Sequence, residues 1–246
     1  MKFETNSKND VSNLIYGRNP LLSYLGSGKV KKVYLQKGFS DAKILAAIKK
    51  EGLNPIYLDN NAMNSLTKGG THQGVAAEIA PFEYSSLKEI IDSAKKKEKP
   101  LILILDEIND PHNFGAIIRS CDAFSVDGII IKNRGQVAVN MTVSKVSTGA
   151  INHVKIAMVS NLSNAIKELK DNGYWIYAAD GSGKDDYQKQ NYDGPTALIM
   201  GSEGFGISRL VLENSDIIIK IPMTGHVNSL NVSVATGIIL SRIRNK

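Results

Sequence analysis

The sequence has little of what a disulfide-bonded, metal-binding or membrane protein needs. Its single cysteine, Cys121, excludes an internal disulfide. No cysteines and histidines have the spacing of a metal site, so we expect no structural zinc and no other metal ligands. The apolar run LILIL at 101–105 is far shorter than the roughly 20 residues of a membrane helix. The N-terminal stretch lacks the apolar centre of a secretory signal, so we expect a cytoplasmic protein without membrane contact.

Positive charge is concentrated at the front of the chain. The net formal charge is +6, and residues 1–80 hold 11 Lys and Arg against 6 Asp and Glu. The excess elsewhere is small, since residues 99–246 hold 15 against 14. A basic front segment fits a polyanionic partner such as nucleic acid, and it fits equally a solvated surface without a partner. Charge alone leaves both interpretations open.

The alternation of apolar patterns predicts two α/β domains. After a flexible tail at 1–11, residues 12–80 form a small domain in which strand and helix patterns alternate, at 30–37, 41–50, 55–58, 60–67 and 75–84. Residues 81–98 are expected to form a connecting helix, with Ser86 and Glu89 at capping-box spacing. From 99 to 246, continuously apolar strands separated by helices predict a parallel sheet covered by helices on both faces.

Three strands are followed by unusual residues, and the first such segment is DEINDPHNFGAIIR at 106–119. In open parallel sheets, ligands bind beyond the carboxyl ends of the strands. The helix that starts here is expected to carry one apolar stripe, made of Phe114, Ile117, Ile118 and Cys121. Arg119 falls nearly opposite that stripe. It is therefore either a solvated side chain or a residue well placed to bind a phosphate.

The second segment, GSEGFGIS at 201–208, places three glycines around Glu203. Glycines permit close approach of the backbone to a flat ligand. The spacing does not match the dinucleotide fingerprint G-x-G-x-x-G, which also requires the first strand of a βαβ unit. Because glycine-rich loops are common, this loop does not identify a site by itself.

The third segment, IPMTGHVNSLNVSVATGIIL at 221–240, begins with small polar residues and continues as an apolar run. We expect Asn228 or Ser229 to cap a helix that starts at about residue 229. Its buried face is expected to include Leu230, Val234 and Ile238. Because one cap needs one side chain, Ser229 and Asn231 together exceed what capping requires. Some of these groups are expected to contact a ligand or a reacting atom.

Together, the motifs DPHNFGAIIRSCDAF, IMGSEGFGI and IPMTGHVNSLNVSVATGIIL resemble those of the SpoU (TrmH) branch of the SPOUT RNA methyltransferases. The resemblance covers about residues 99–246 and implies methyl transfer from S-adenosylmethionine to a ribose 2′-hydroxyl. It also implies a C-terminal trefoil knot, a cofactor bound in that knot, and a homodimer formed there. The front segments IYGRNPLLSYL and HQGVAAEI resemble the family's accessory domain, whose fold is shared with small ribosomal proteins that bind RNA.

The resemblance also assigns roles to residues. The expected catalytic residues are Asn113, Arg119, Glu203, Ser229 and Asn231. The expected cofactor-binding residues are Thr148, Gly149, Met200, Gly201, Ile221, Met223, Ser229 and Leu230. The basic residues expected to bind RNA are Arg18, Lys29, Lys31, Lys32 and Arg119, with Tyr16 or Phe39 as stacking surfaces. Two positions depart from the family pattern: Thr148 replaces the usual alanine, and Ser125 stands where glycine is common.

The implied chemistry aligns an activated methyl group with the ribose oxygen and helps that oxygen lose its proton. The resemblance makes Arg119 the base, but a guanidinium stays protonated in proteins, so a role as phosphate anchor and alkoxide stabiliser is an equal alternative. The whole chain most resembles members that methylate a guanosine of large-subunit (23S) ribosomal RNA. Three alternatives stay open: transfer RNA, the ribosomal site of thiostrepton resistance, and a binding module without catalysis.

Overall fold

The computed structural model describes residues 14–245, so the predicted tail at 1–11 lies outside the described residues. The chain divides into two compact units, and the boundary lies between Pro81 and Phe82. No helix among residues 14–245 combines the length and the apolar character needed to cross a membrane.

Within residues 14–81, the first unit contains a four-stranded mixed sheet and three helices. Its elements are β1 (Leu14–Tyr16), α1 (Arg18–Tyr24), β2 (Val30–Gln36), α2 (Ala42–Lys50), β3 (Ile56–Leu58), α3 (Asn60–Leu66) and β4 (Val75–Ile79). The strand order is β1-β4-β2-β3, in which β4 runs antiparallel to β1 and β2, and β3 runs parallel to β2. The elements expected from residue 30 onward are present, and β1 and α1 were not expected.

Local sequence signals account for these elements. The side chain of Asp41 caps α2 by accepting from the backbone N–H of Lys43, and Asp59 caps α3 in the same way. In β2, Val33 and Leu35 are buried two residues apart, as expected for a strand with one face on the core.

The described part of the second unit, residues 82–245, contains a seven-stranded sheet. Its elements are α4 (Leu87–Ala94), β5 (Leu101–Asp106), α5 (Pro111–Ala123), β6 (Gly128–Lys132), α6 (Met141–Val146), β7 (Ile156–Val159), α7 (Leu162–Asp171), β8 (Trp175–Ala179), β9 (Asp185–Asp186), β10 (Thr196–Gly201), α8 (Arg209–Glu213), β11 (Ile217–Lys220) and α9 (Val232–Arg244). The strand order is β7-β6-β5-β10-β8-β11-β9, and every pair is parallel.

Helices cover both faces of this sheet. On one face, alternate strand residues such as Ile102, Ile104 and Ile199 pack against α4, α7 and α8. On the other face, α9 contacts β10 and packs on α5, which in turn packs on α6. The expected α/β fold class, with a parallel sheet and a smaller preceding domain, is confirmed.

Helix α4 belongs to the second unit. Its capping box is confirmed: Ser86 and Glu89 each bond the other's backbone N–H. Two of its residues, Ile90 and Ile91, lie in the core cluster of the large sheet. The segment expected to be a connection is thus part of this unit's core, because its apolar stripe has a sheet face to pack on.

The expected buried face of α9 is wrong. The helix starts at Val232, and its buried residues are Val232, Thr236, Ile239, Leu240 and Ile243. Val234, expected in the core, is 51% exposed. Apolar residues of α9 occur on all of its faces, so the sequence pattern does not identify the face that packs on the rest of the protein.

The end of α9 is tied to the rest of the second unit by Arg244. Its guanidinium donates to the backbone carbonyls of Lys99 at 2.7 Å, Phe124 at 2.9 Å and Ser125 at 2.7 Å. Burial lowers the pKa of Arg244, and the charge of nearby Asp127 opposes that shift. These bonds hold α9 against the end of α5, and both helices carry residues of the site described next.

Candidate active site

Three loops meet in a cluster of hydrogen-bonded side chains. Nδ2 of Asn113 donates to Oε1 of Glu203 at 3.0 Å, and Nδ2 of Asn231 donates to the same oxygen at 2.6 Å. Asn231 Nδ2 also donates to Oδ1 of Asn113 at 2.9 Å. The structure thus brings together three of the five residues expected to be catalytic, although Asn113 and Asn231 are 118 positions apart. We call these three residues the polar cluster.

Asn113 is positioned by the first turn of α5. Asp110 caps the helix by accepting from the backbone N–H of His112 at 3.0 Å, and Pro111 fills the first helical position. The Asn113 side chain points inward and the residue is only 8% exposed. A buried amide needs hydrogen-bond partners, and Glu203 and Asn231 supply them.

Asn231 has two tasks. Its Oδ1 caps α9 by accepting from the backbone N–H and the hydroxyl of Ser233, at 2.9 and 2.6 Å. The expected cap at Asn228 or Ser229 is therefore wrong, because both residues precede the first turn of the helix. Capping leaves Nδ2 of Asn231 for the polar cluster. The carboxylate of Glu203 then lies close to the N-terminus of α9, where the helix dipole favours negative charge.

Glu203 sits on a closed loop. Ser202 and Gly206 exchange two backbone hydrogen bonds of 3.0 Å, and the Ser202 hydroxyl accepts from the backbone N–H of Phe205 at 3.2 Å. A Cβ atom at Gly201 would overlap the backbone of Gly206, so the loop folds directly over the end of β10. This packing fixes the position of Glu203.

Buried charges support the far end of the same loop. Oδ2 of Asp106 accepts from the backbone N–H of Ser208 at 2.8 Å, and Nζ of Lys132 lies 3.6 Å from Oδ1 of Asp106. Lys132 also donates to Glu107 at 2.8 Å. This hydrogen bond, together with the charge of Asp106, raises the pKa of Lys132 although burial opposes the shift. The ends of β5 and β6 thus brace the Glu203 loop.

A cavity of about 590 Å³ opens beside the polar cluster, at the carboxyl ends of β8, β10 and β11. Glu203 lines it. So do six of the residues expected to bind a cofactor: Met200, Gly201, Ile221, Met223, Ser229 and Leu230. The lining combines apolar side chains with glycines and polar residues, which suits a flat, partly polar ligand.

The cavity also has a wall that the sequence analysis missed, formed by residues 179–181 after β8. Oδ1 of Asp180 accepts from the backbone N–H and hydroxyl of Ser182, at 2.9 and 2.7 Å. Its Oδ2 lies next to Gly206 and forms no hydrogen bond with the described residues. The available signal was the acidic residue at the end of the strand pattern YWIYAAD, which obeys the same rule as the other three loops.

Thr148 and Gly149 are not among the residues that line the cavity. They form the turn after α6, where both have positive φ angles, 50° and 94°. Helix α6 packs closely on α5: a Cβ atom at Gly115 would lie 2.7 Å from Cβ of Val146. The turn connects α6 to a short 3-10 helix at Ala150–Asn152, and it does not touch the cavity of its own chain.

Arg119 is exposed, and within residues 14–245 it forms no hydrogen bond or ion pair. It also does not line the cavity of its own chain. It lies six residues after Asn113 on α5, which places the two side chains on different sides of the helix. The adjacent Ser120 belongs to a shallow groove between α5 and α9, whose other residues include Phe124, Val234, Gly237 and Ile238.

The basic residues of the first unit have different surroundings. The Arg18 guanidinium contacts Asp41 at 3.2 Å and lies 5.4 Å from the centre of the Phe39 ring. Lys32 is 3.4 Å from Glu78, whereas Lys31 is exposed, and Lys29 is partly buried at the start of β2. The ring of Tyr16 packs against Gly70, so part of that ring is covered.

Comparison with known proteins agrees with this geometry. A family model for the SpoU rRNA Methylase family matches residues 100–241, and one for RNA 2′-O ribose methyltransferase substrate binding matches residues 14–85. A TrmH family protein of Staphylococcus haemolyticus is 42% identical over 95% of each chain. The YacO protein of Bacillus subtilis, also of the TrmH family, is 38% identical over 94% of this chain and 95% of that relative.

Solved structures of similar proteins share the fold. The AdoMet-bound rRNA methyltransferase from Sinorhizobium meliloti aligns with a TM-score of 0.79 and 25% identity, over 94% of this chain and 86% of that one. The SpoU methyltransferase AviRb from Streptomyces viridochromogenes aligns equally well at 22% identity, over 94% and 88%. The matches span both units and include the three loops of the polar cluster, so the chain belongs to the SpoU (TrmH) family of RNA methyltransferases.

Proposed function

We propose that this protein transfers a methyl group from S-adenosylmethionine to a ribose 2′-hydroxyl, in a guanosine of 23S ribosomal RNA. The polar cluster beside the cavity is the observation that carries the proposal. It offers amide and carboxylate groups for a ribose hydroxyl within reach of a space that fits a flat cofactor.

The cavity lining fits S-adenosylmethionine. Met200, Ile221 and Leu230 supply apolar contacts for the adenine, and the lining carboxylates of Asp180 and Glu203 suit a cofactor that carries positive charge. When bound, the cofactor supplies a methyl group that is already activated by its sulfonium. The protein then has to orient that group and exclude competing positions, and no metal is needed for either task.

The polar cluster orients the nucleotide. Glu203 fixes the amides of Asn113 and Asn231 through Oε1, and its Oε2 forms no hydrogen bond with the described residues. Oε2 is therefore available to a ribose hydroxyl or to a guanidinium. Ser229 completes the wall next to the cluster. Arg119 binds the substrate phosphate and stabilises the ribose oxygen, whose proton passes to solvent as the methyl group is transferred.

A second copy of the chain brings Arg119 to the cavity. In one chain, Arg119 is exposed beside the groove between α5 and α9, and it has no partner among residues 14–245. Val234, exposed on that groove, is the kind of apolar residue that a dimer covers. We therefore propose a homodimer through the second unit. The trefoil knot implied by the resemblance stays a prediction for the same unit.

RNA recognition is divided between the units. The first domain, predicted at residues 12–80, contributes four basic side chains to phosphate contacts: Arg18, Lys29, Lys31 and Lys32. For Arg18 and Lys32, the phosphates must compete with the carboxylates of Asp41 and Glu78. Such contacts weaken as salt rises, because RNA binding releases counterions. The second unit carries the chemistry in residues 99–246, the segment that the three motifs span.

The proposed activity predicts a specific product. Purified protein with methyl-labelled S-adenosylmethionine should label 23S ribosomal RNA from cells that lack the gene, and should not label RNA from cells that have it. Nuclease digestion and mass spectrometry should then find one 2′-O-methylguanosine. Label confined to transfer RNA would contradict the 23S assignment, and label on another nucleotide would contradict the guanosine assignment. Either result would still support methylation of a ribose. If no RNA is labelled, the proposal that the protein transfers methyl groups is wrong.

Asp180 provides a test of the cofactor site. Asp180→Asn keeps Oδ1 for Ser182 and removes the charge, so we expect the Kd for S-adenosylmethionine to rise about 10-fold or more. Isothermal titration calorimetry measures this directly. Asp185→Asn, an exposed neighbour that does not line the cavity, is the matched control and should bind like the wild type. Equal affinities for both variants would remove Asp180 from the site.

A further inference from the structure

Phe205 is the most exposed large apolar side chain in the described part of the protein, at 94% exposure. A phenyl ring left in water contributes nothing to the core and costs solubility. Single exposed apolar residues are common on protein surfaces, so exposure alone assigns no role to Phe205. Its attachment and its position are the informative features.

The backbone of Phe205 is held in place by its loop. The two backbone hydrogen bonds between Ser202 and Gly206 close the loop around Phe205, and its own backbone N–H donates to the Ser202 hydroxyl. Gly206 adopts a positive φ of 68°, which the turn requires, and its backbone packs on Gly201. Phe205 is thus displayed by a braced turn.

The position of that turn points to the substrate. Phe205 is two residues from Glu203, whose carboxylate holds the polar cluster together. Two more exposed apolar side chains, Met223 and Val227, belong to the opposite loop that lines the cavity. Phe205 is not part of the groove between α5 and α9, so the surface proposed for the second copy does not account for it.

We propose that Phe205 is a stacking platform for an unpaired RNA base next to the ribose that receives the methyl group. This proposal rests on the proposed function and adds a requirement to it. Aromatic rings stack on any base, because every base has a π-face, but they reach one only when it is not buried in a helix. The enzyme therefore selects a target in a loop or bulge and rejects the same sequence in a duplex.

Alanine substitution tests the platform. Phe205→Ala should raise KM for RNA about 5- to 150-fold, the range given by loss of one stacked base. The value of kcat at saturating RNA and the Kd for S-adenosylmethionine should stay close to wild type. Phe205→Tyr should restore KM, since it keeps the ring. Trp175→Ala is the control. Trp175 is 57% exposed, but it is the first residue of β8 and so lies at the amino ends of the strands, away from the cavity.

A binding measurement separates this proposal from the methylation itself. Phe205→Trp in a Trp175→Phe background leaves one tryptophan, at the platform. Its fluorescence should be quenched by an unpaired oligoribonucleotide and not by the matching duplex, even if the wild type transfers no methyl group. Equal quenching by both RNAs, an unchanged KM in Phe205→Ala, or a change of that variant's oligomeric state in sedimentation would each overturn the platform.

Discussion

Arg119→Ala is expected to lower kcat for methyl transfer by about 10²- to 10³-fold, the loss that follows removal of one group stabilising a developing oxyanion. Binding of S-adenosylmethionine should change little, because Arg119 does not line the cavity of its own chain. Stability should also stay constant, since the side chain is exposed and has no partner in the described structure. Single-turnover assays with saturating RNA measure the rate of methyl transfer, and calorimetry measures the affinity for the cofactor.

Two further variants sharpen this test. Arg119→Lys keeps the charge and loses the planar fork that binds a phosphate through two hydrogen bonds, so it should recover only part of the rate. Arg209→Ala, in the exposed helix α8, removes another surface arginine of the same unit and should leave the rate unchanged. Normal transfer by Arg119→Ala would contradict the assigned role.

Mixing inactive chains tests whether Arg119 acts across subunits. In a two-fold dimer that contains one Arg119→Ala chain and one Glu203→Ala chain, one site lacks both groups and the other is intact. Mixed dimers should therefore regain transfer that neither variant has alone. If the mixture stays inactive while mass spectrometry detects the mixed dimer, each site uses its own Arg119.

Gly201→Ala is expected to abolish transfer and to destabilise the second unit by about 1–3 kcal/mol or more. The added methyl group would overlap the backbone of Gly206, which cannot move aside as a side chain can. The loop must lift from β10, and Glu203 then leaves both amides of the polar cluster. Chemical denaturation measures the free energy of unfolding. The transfer assay measures the activity, which depends on the position of the Glu203 loop.

Gly204→Ala is the matched control, because it adds the same methyl group to the same loop where no atom lies within 4 Å. It should retain both stability and activity. If Gly201→Ala proves as stable and active as Gly204→Ala, the loop is more mobile than its packing indicates, and the fixed position of Glu203 is not required for the reaction.

The sequence predicts the large sheet well, since its buried strands are continuously apolar and their order along the chain alternates with helices. It also predicts that Arg119 faces away from the core, because the stripe from Phe114 to Cys121 fixes the orientation of α5, and the structure confirms this. The meeting of Asn113, Glu203 and Asn231 follows from the rule that carboxyl ends of parallel strands share one edge.

Other features leave no clear pattern in the sequence. Helices α1, α6 and α8 have only five to seven residues, too few turns to show a helical period. The cap of α9 was misplaced because Asn228, Ser229 and Asn231 are all good caps, and only the fold decides which one starts the helix. Asp180 was missed because one acidic residue after a strand is ordinary until other loops are seen around it.

The polar cluster also has a consequence for how the protein is made. Its two amides are separated by 118 positions, and the carboxylate between them comes 28 positions before the second amide. A chain still being translated therefore lacks the cluster until residue 231 has emerged and folded back onto the first loop. Closure of so long a loop is slow compared with local helix formation. If the polar cluster acts as proposed, the newly made chain is inactive, and methyl transfer begins only once these distant contacts have formed.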